Sequence, residues 1–253
     1  MADTMLVKPC VLVTGASSGI GRAIAVGLSS THRVILNGRD KPRLAGARAE
    51  CANPDEHVVW DFDLEQVEQV SESLGHLLVH RGLTVQVFIH CAGVMRILPV
   101  RSTDSQLMRR LIDLTVISAT EITRLLVSRK ANQQELRSVL FMSSIASRFG
   151  ARGFSAYSAA KAALDGYMRS MAVELAPRVR ANSILLGAIR TPMTESVFAD
   201  KALAEKMEAG YPLGTGRPED VLNLAAFLVS ERARWITGQE FVLDGGRTTN
   251  ISP

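Results

Sequence analysis

Two residues whose side chains can exchange protons stand four positions apart in a run of small residues. The run reads Ser155-Ala156-Tyr157-Ser158-Ala159-Ala160-Lys161. Residues four apart on a helix share a face, so the ammonium of Lys161 would favour the phenolate of Tyr157. An opposite charge lowers a pKa by roughly 1–3 units, which would bring the phenol from about 10 towards neutral pH. The pair is therefore a candidate general acid, although the same spacing also occurs by chance on surface helices.

A glycine-rich segment follows the first apolar run of the chain. Residues 9–13 lead into Thr14-Gly15-Ala16-Ser17-Ser18-Gly19-Ile20-Gly21, and apolar residues with a helical period begin at Ile24. Glycines would let the backbone approach a pyrophosphate, whose charge would face the free N–H groups at the positive end of the helix. An ordinary glycine-rich turn is the alternative, because the three-residue gap between the first two glycines departs from the commoner dinucleotide fingerprint.

The second apolar run ends where a dinucleotide fold would contact the ribose of its cofactor. Residues 33–36 lead into Asn37-Gly38-Arg39-Asp40. An acid at this place binds the ribose hydroxyls, whereas an arginine accommodates the additional phosphate of NADP. Because Arg39 follows the glycine, the sequence favours NADP(H), while the neighbouring Asp40 leaves NAD(H) possible. A solvated loop arginine is the alternative interpretation.

Apolar runs alternate with helical patterns along the chain, which indicates how these residues are positioned. Further strands are expected at residues 57–60, 84–89 and 138–142. This alternation predicts a parallel sheet with right-handed crossovers, in which ligands bind beyond the carboxyl ends of the strands. Ser144 follows the fifth strand and the Tyr157 run begins the next helix, so the topology would bring them together. A polar helical insertion at about 192–211 is a candidate substrate lid.

The composition limits the classes of protein to which this chain can belong. Apolar residues make up 47% of the 253 positions and aromatic residues only 5%, which favours a single α/β domain spanning 1–253. No apolar run reaches the roughly 18 residues of a membrane span, and the start of the chain lacks a signal-peptide layout, so we expect a cytoplasmic protein. The net charge is +4, but the basic residues are spread among 25 acidic ones, which argues against nucleic-acid binding.

The three cysteines do not form a metal-binding pattern. Cys10, Cys51 and Cys91 are scattered along the chain and cannot all form pairs with one another. We therefore expect buried, reduced thiols and no metal site.

Taken in order, the segments resemble the short-chain dehydrogenase/reductase family over almost the whole chain, particularly members similar to 3-oxoacyl-carrier-protein reductases. Tyr157 follows Ser144 by 13 positions, which is the family spacing. The resemblance implies a Rossmann-type doubly wound sheet of about seven parallel strands with helices on both faces. The segments that carry it are residues 14–21, Cys91-Ala92-Gly93, Ser144, Tyr157 with Lys161, Pro212-Leu213-Gly214, Pro218-Glu219-Asp220, Ile236-Thr237-Gly238-Gln239 and Val242-Leu243-Asp244-Gly245-Gly246.

The resemblance implies hydride transfer between a nicotinamide cofactor and a carbonyl or secondary alcohol. Tyr157 would protonate the carbonyl oxygen, Lys161 would lower the pKa of the phenol and hold the nicotinamide ribose, and Ser144 would orient the carbonyl. By the same resemblance, the cofactor contacts would come from Gly15, Ser17, Ser18, Gly19, Ile20, Gly21, Arg39, Asp63, Leu64, Cys91, Ala92, Gly93, Tyr157, Lys161, Gly187, Ile189 and Thr191.

Three positions depart from the family pattern. His90 precedes Cys91 where an asparagine is usual, and Leu186 precedes Gly187 where a proline is usual. Thr115 stands at the position of a catalytic asparagine that, in the family, holds a water linking the lysine to solvent. A threonine can also hold a water, with fewer hydrogen bonds, so we expect a slower or rerouted proton relay.

Three arginines suggest the charge of the substrate. Arg96, Arg148 and Arg152 fall in loops expected to line the substrate cleft, and arginine forks suit carboxylate or phosphate groups. We expect an anionic carbonyl or alcohol, such as a 3-oxoacyl thioester or another anionic compound. Solvated loop arginines are the alternative. Val173 before Glu174, where relatives carry an arginine, weakens the case for a carrier-bound substrate.

The sequence is also compatible with two other functions. They are a sugar-nucleotide or small-ketone dehydrogenase, and a catalytically weak regulatory protein that binds the cofactor. The resemblance also implies a homo-oligomer, a tetramer or a dimer, assembled through the helices near 104–130 and 154–176. Met168, Met171, Val221, Leu224 and Phe227 would serve either that interface or the core.

Overall fold

One parallel sheet of seven strands organises the part of the chain that this computed structural model describes, residues 8–199 and 201–249. The order across the sheet is β3-β2-β1-β4-β5-β6-β7 and neighbouring strands are parallel. The expected Rossmann-type doubly wound α/β fold is therefore confirmed. The strands are β1 Cys10–Thr14, β2 Arg33–Gly38, β3 Val58–Asp61, β4 Val87–His90, β5 Ser138–Ser144, β6 Arg180–Leu186 and β7 Glu240–Leu243.

Helices cover both faces of this sheet. They are α1 Gly19–Leu28, α2 Lys41–Ala49, α3 Val70–Arg81, α4 Ser105–Ile112, α5 Ser118–Val127, α6 Arg129–Asn132, α7 Ser155–Glu174, α8 Glu195–Ala199, α9 Lys201–Ala209 and α10 Pro218–Val229. Side chains alternate between the faces, so in β1 Leu12 packs with α3, α5 and α7 while Val11 and Val13 pack with α1, α2 and α10. Strands buried on both faces explain the continuous apolar runs of the sequence.

The order of strands creates a crevice at the centre of the sheet. The chain proceeds outwards from β1 to β2 and β3, then returns to place β4 on the other side of β1. Ligands bind in such sheets at this switch point, beyond the carboxyl ends of the strands. The segments that follow β1 and β4 are the glycine-rich residues 14–21 and Cys91-Ala92-Gly93. The topology therefore brings the two together.

Two strands are shorter at their start than the sequence predicts. The predicted strand at 84–89 begins at Val87, where the side chain of the preceding Gln86 accepts the N–H of Cys10 at 2.7 Å. The predicted strand at 57–60 begins at Val58, where the ring of His57 accepts the N–H of Val34 at 3.0 Å. In both places a side chain takes a backbone group that a longer strand would have paired.

The long helical pattern that begins near residue 104 is interrupted by a π-helical turn. Asp113–Ile117 forms this turn between α4 and α5, and Thr115 is buried within it. A π turn leaves backbone groups without their usual helical partners and occurs often at functional sites. The kink lies beside the crevice, because Leu114 lines a cavity there.

Other structural features follow the composition. Cys10, Cys51 and Cys91 are free thiols, the first two buried and the third partly so. Among the described residues, no group of three or more His, Cys, Asp or Glu side chains is arranged to hold a metal ion. Within the same part of the chain, no helix is both long enough and apolar enough to cross a membrane.

Candidate active site

Tyr157 and Lys161 lie on the first turns of α7, at the carboxyl end of the sheet. The Nζ of Lys161 lies 5.8 Å from the centroid of the Tyr157 ring and donates a hydrogen bond to the carbonyl of Met142 at 2.7 Å. Lys161 is only 5% exposed. The end of β5 therefore fixes the ammonium beneath the phenol ring rather than against the phenolic oxygen.

Burial governs the pKa of both groups. The pKa of Tyr157 is raised by burial, and the nearby Ser144 hydroxyl opposes this effect. That Lys161 lowers the pKa of the phenol stays a prediction. Burial also lowers the pKa of Lys161 to about 8, against the attraction of Asp165 and Cys91. Lys161 is thus mostly protonated at neutral pH.

Ser144 ends β5 within the same cavity as Tyr157. Its hydroxyl accepts the N–H of Ala146 at 3.2 Å and donates weakly to the carbonyl of Leu186 at 3.5 Å. The Ser144 and Tyr157 hydroxyls do not form a hydrogen bond within geometric limits, although they are close enough to affect the pKa of Tyr157. Both hydroxyls can therefore turn towards an oxygen atom placed between them.

The cavity that contains these hydroxyls measures about 670 Å³. Its wall is predominantly apolar, and the candidate lid contributes Met193, Thr194, Met207 and Tyr211. Asp200, within the candidate lid, lies outside the described residues. Further apolar wall comes from Ile20, Met95, Ile97, Phe149, Phe154, Leu186 and Ile189. A cavity of this size and lining fits a small organic molecule with an extended apolar part.

The structure does not bring the three expected substrate arginines to this cavity. Arg148 pairs instead with Glu240 of β7, where its Nε donates to a carboxylate oxygen at 2.8 Å. Arg96 and Arg152 are exposed, and neither lines the cavity wall. Arg247, from the segment after β7, is the charged side chain among the described lining residues. Sequence reasoning missed it because it stands about 90 positions beyond Tyr157.

A second cavity of about 440 Å³ adjoins the first. Ile20, Thr191 and Met193 line both cavities. The second cavity brings together most of the expected cofactor residues, namely Gly15, Ser17, Ser18, Gly19, Ile20, Gly21, Arg39, Asp63, Leu64, Cys91, Ala92, Gly93 and Thr191. Gly187, Ile189 and Tyr157 line the first cavity, whereas Lys161 is buried beneath it.

The glycine loop fits a pyrophosphate. A Cβ at Gly21 would stand 2.3 Å from the carbonyl oxygen of Gly15, and Gly15 itself has a φ of +66°, which side chains disfavour. Ser18 precedes α1 without capping it through its side chain, so the first N–H groups of this ten-residue helix remain available to an anion. The residues present therefore suit a dinucleotide.

Arginines and acids share the end of this cavity near β2. Arg39 is paired with Glu65 at 3.1 Å, and Glu65 also accepts two hydrogen bonds from Arg110. These bonds lower the pKa of Glu65, the larger effect coming from Arg110. Arg43, which sequence reasoning did not select, lines the same cavity beside Asp40. Two guanidinium groups thus stand where an additional phosphate would lie.

Thr14 and His90 connect the two central strands below the cofactor cavity. The Thr14 hydroxyl accepts the N–H groups of Cys91 at 3.1 Å and Ala92 at 3.2 Å. Its own proton is therefore directed to Nδ1 of His90, 2.9 Å away. We assign the remaining proton of this neutral ring to Nε2 on that basis.

The other edge of the His90 ring faces the π turn. The carbonyl groups of Thr115 and Leu114 lie beside Nε2, although no hydrogen bond there meets geometric limits. Burial lowers the pKa of His90 to about 3, with Lys161 adding a smaller effect in the same direction. Thr115 is buried in the π turn and lines neither cavity, and its role in a proton relay stays a prediction.

Comparison with known proteins agrees with this geometry. Residues 15–248 match a family model described as enoyl-(acyl carrier protein) reductase. A short-chain type dehydrogenase/reductase from Mycobacterium ulcerans is 31% identical, with a TM-score of 0.85 over 97% of this chain and 91% of that one. This chain belongs to the short-chain dehydrogenase/reductase family. The chain is therefore an oxidoreductase of that family.

Two further relatives of this dehydrogenase/reductase differ in the substrate that their names give. A 3-oxoacyl-[acyl-carrier-protein] reductase from Synechocystis sp. is 32% identical over 251 residues, or 96% of this chain and 98% of that protein. The structure of a 4-hydroxyisoleucine dehydrogenase complexed with NADH has a TM-score of 0.88 at 28% identity, over 96% of this chain and all of that one. Family membership therefore does not define the substrate, which depends on the residues that line the cavity of this chain.

Proposed function

We propose that this oxidoreductase interconverts a carbonyl compound and a secondary alcohol, with NADP(H) as its preferred cofactor and Tyr157 as its general acid and base. The observation that carries the proposal is the placement of Tyr157 and Ser144 in an apolar cavity that adjoins a dinucleotide-shaped one. The cofactor, when bound, supplies or accepts a hydride at its nicotinamide ring.

Three side chains of this protein would orient the substrate, transfer the proton and stabilise the charge that develops. Ser144 donates a hydrogen bond to the substrate oxygen and orients it, while Tyr157 transfers its phenolic proton to that oxygen during reduction. Lys161, held by the carbonyl of Met142, offers a positive charge beneath the phenol as negative charge develops there. In the oxidative direction, Tyr157 accepts the proton from the alcohol.

Two arginines support the preference for NADP(H). Arg39 and Arg43 line the end of the cofactor cavity next to β2, where they would pair with a phosphate on the ribose. Both arginines already face acids, since Arg39 pairs with Glu65 at 3.1 Å and Arg43 with Asp40 at 3.5 Å, and a phosphate would compete with these carboxylates. NAD(H) remains a possible second cofactor, since Asp40 could receive ribose hydroxyls.

The cavity favours a substrate that is mainly apolar and carries one anionic group. Apolar side chains form most of the wall, and Arg247 stands among them with its guanidinium 5.9 Å from the ring of Tyr211. A 3-oxoacyl thioester or another acyl compound with a carboxylate meets both requirements. Sugar nucleotides and small polar ketones fit the apolar wall less well.

The wider setting of the enzyme follows from its family. We infer a cytoplasmic homo-oligomer, a dimer or a tetramer, with residues 192–211 as a lid over the substrate. Met168, Met171 and Val221 are buried in the core, so they do not serve as interface residues. Leu224 and Phe227 also pack against the core. The exposed Val173 on α7 would belong to the interface instead.

Replacing Tyr157 with phenylalanine tests the function. We expect the Y157F variant to lose at least about 100-fold in turnover, the range that one general acid contributes, while binding of NADPH is unchanged. The measurement is oxidation of NADPH and of NADH against acyl thioesters, keto acids, sugar nucleotides and neutral ketones, with cofactor affinity measured by fluorescence.

A second tyrosine on α7 provides the control. Tyr167 packs against Phe141, with ring centroids 6.2 Å apart, and does not line the substrate cavity. The Y167F variant should retain turnover. A wild-type protein that binds NADPH but oxidises neither cofactor with any compound would instead indicate a regulatory binding protein.

A further inference from the structure

Four charged or titratable residues follow one another at intervals of four along α7. Tyr157, Lys161, Asp165 and Arg169 occupy successive turns, with a rise of about 6 Å between neighbours. Tyr157 lines the substrate cavity, Lys161 and Asp165 are buried, and Arg169 is exposed. The series therefore leads from the reacting group through the interior of the protein to its surface.

Asp165 is held in place by hydroxyl groups. Its carboxylate accepts a hydrogen bond from Ser143 of β5 at 2.8 Å, and the residue is only 2% exposed. Ser147 and Ser183 also lie beside this carboxyl group. Their hydroxyls and the second oxygen of Asp165 are buried and make no hydrogen bond among the described residues. The hydrogen bond from Ser143 favours the ionised form of this carboxyl group, whereas burial has the larger effect and raises its pKa.

Strand β5 forms hydrogen bonds with both Asp165 and Lys161. The carbonyl of Met142 accepts from Lys161, and the next residue, Ser143, donates to Asp165. The two charged side chains are thus anchored to consecutive residues of β5. They also lie one turn apart on the same helix, which places a negative charge close to a cation that is almost entirely removed from water.

The remaining groups around Lys161 do not supply a negative charge at neutral pH. His90 is neutral, because burial lowers its pKa to about 3, and burial raises the pKa of the Cys91 thiol to about 12. Burial also raises the pKa of Tyr157. Asp165 is therefore the acid that favours the protonated form of Lys161 among the groups that face it.

At the surface end of this series of α7 residues, Arg169 belongs to an ionic cluster. Glu240 of β7 pairs with both Arg148 and Arg169, and its side chain is only 8% exposed. Glu240 raises the pKa of Asp165, in addition to the larger effect of burial. The two arginines offset the charge of Glu240.

We propose that Asp165 is a positioning residue, whose buried carboxylate serves as the counter-charge that keeps Lys161 protonated beneath Tyr157. A buried ammonium without such a partner would release its proton or destabilise the fold. The consequence for turnover rests on the proposed function, but the charge pairing itself does not.

A double-mutant cycle tests the pairing without any assay of activity. The variants are Asp165→Asn, Lys161→Met and the combination of both, each unfolded with urea at pH 7. If the charges depend on each other, the double variant loses less stability than the two single losses added together. Strict additivity, or a loss in the double variant larger than the sum of the two single losses, would overturn the proposal.

The pH profile of turnover tests the consequence for the reaction. Without its counter-charge, Lys161 should deprotonate at lower pH, so the alkaline limit of kcat should move down by about one unit or more in D165N. Glu240→Gln is the matched control, because it removes a buried carboxylate near Asp165 that is already paired with arginines, and its profile should resemble wild type. An unchanged profile in D165N, or an equal shift in both variants, contradicts the proposal.

Discussion

At the scale of single residues, Arg247 gives the substrate cavity its charge. It directly follows Gly245-Gly246, and one of its guanidinium nitrogens approaches the carbonyl of Gly210 at 3.5 Å. That contact is long, so the guanidinium keeps hydrogen-bonding capacity for a substrate. Arg247 is exposed, so a charge-assisted hydrogen bond to a substrate anion would form there in competition with water.

Replacing Arg247 with alanine should weaken the binding of anionic substrates. We expect R247A to raise KM for a carboxylated ketone by about tenfold or more, since a charge-assisted hydrogen bond contributes about 1.5–3 kcal/mol. The KM for a neutral ketone and the kcat for either should change little. Arg152→Ala is the control, because Arg152 is an exposed arginine outside the cavity. Equal effects of R247A on both ketones would contradict an anion-binding role.

At the scale of elements, the turn from β1 into α1 depends on close backbone approach. Gly21 lies on the first turn of α1 against the carbonyl of Gly15, and a backbone atom cannot move aside as a flexible side chain would. Farther along, Gly27 of the same helix packs against Leu222 of α10. The helix is thus held between the cofactor loop and its neighbour by positions without a side chain.

Adding a methyl group at Gly21 should therefore disrupt the loop. We expect Gly21→Ala to weaken NADPH binding by more than tenfold and to lower the melting temperature, because the new Cβ would stand 2.3 Å from Gly15. Gly46→Ala in α2 is the matched control. Nothing lies within 4 Å of a Cβ there, so alanine should preserve binding and raise the free energy of unfolding by about 0.5–1 kcal/mol. Normal NADPH affinity in G21A would refute this account of the loop.

At the scale of the whole molecule, a neutral histidine sits in the middle of the sheet. His90 ends β4, connects to β1 through Thr14 and packs among Phe88 and Phe141. In the folded protein its pKa is about 3, whereas an unfolded chain would have a value near 6.5. Between these values the unfolded state binds more protons than the folded one, so stability falls as the pH falls.

This linkage predicts acid sensitivity that one substitution would reduce. Each pH unit below about 6.5 should cost about 1.4 kcal/mol of unfolding free energy through His90 alone. His90→Asn should reduce the slope of the unfolding free energy against pH between 6.5 and 4.5. The reduction should correspond to up to one bound proton, as measured by urea unfolding. Replacing the exposed His76 with asparagine serves as control. The idea fails if H90N keeps the slope of the wild-type protein.

Much of the fold was predictable because its signals are local. Runs such as residues 9–13 are apolar on both sides of the strand, and glycines at 15, 19 and 21 mark a turn that tolerates no side chains. The strand starts at Val58 and Val87 were missed for the opposite reason. There the deciding contacts come from His57 and Gln86 to strands at distant positions in the chain.

By itself, the sequence determined the family and the class of sheet and predicted Ser144, Tyr157 and Lys161 as the reacting group, because these depend on residue types at short and ordered spacing. Only the tertiary structure decided which charged side chains lie near Tyr157 and which pair elsewhere. It turned Arg148 towards Glu240, brought Arg247 into the substrate cavity and set Asp165 beside the buried lysine. The physical reason is that a side chain's charge, burial and pKa depend on neighbours from other strands, and those neighbours are defined only once the sheet has formed.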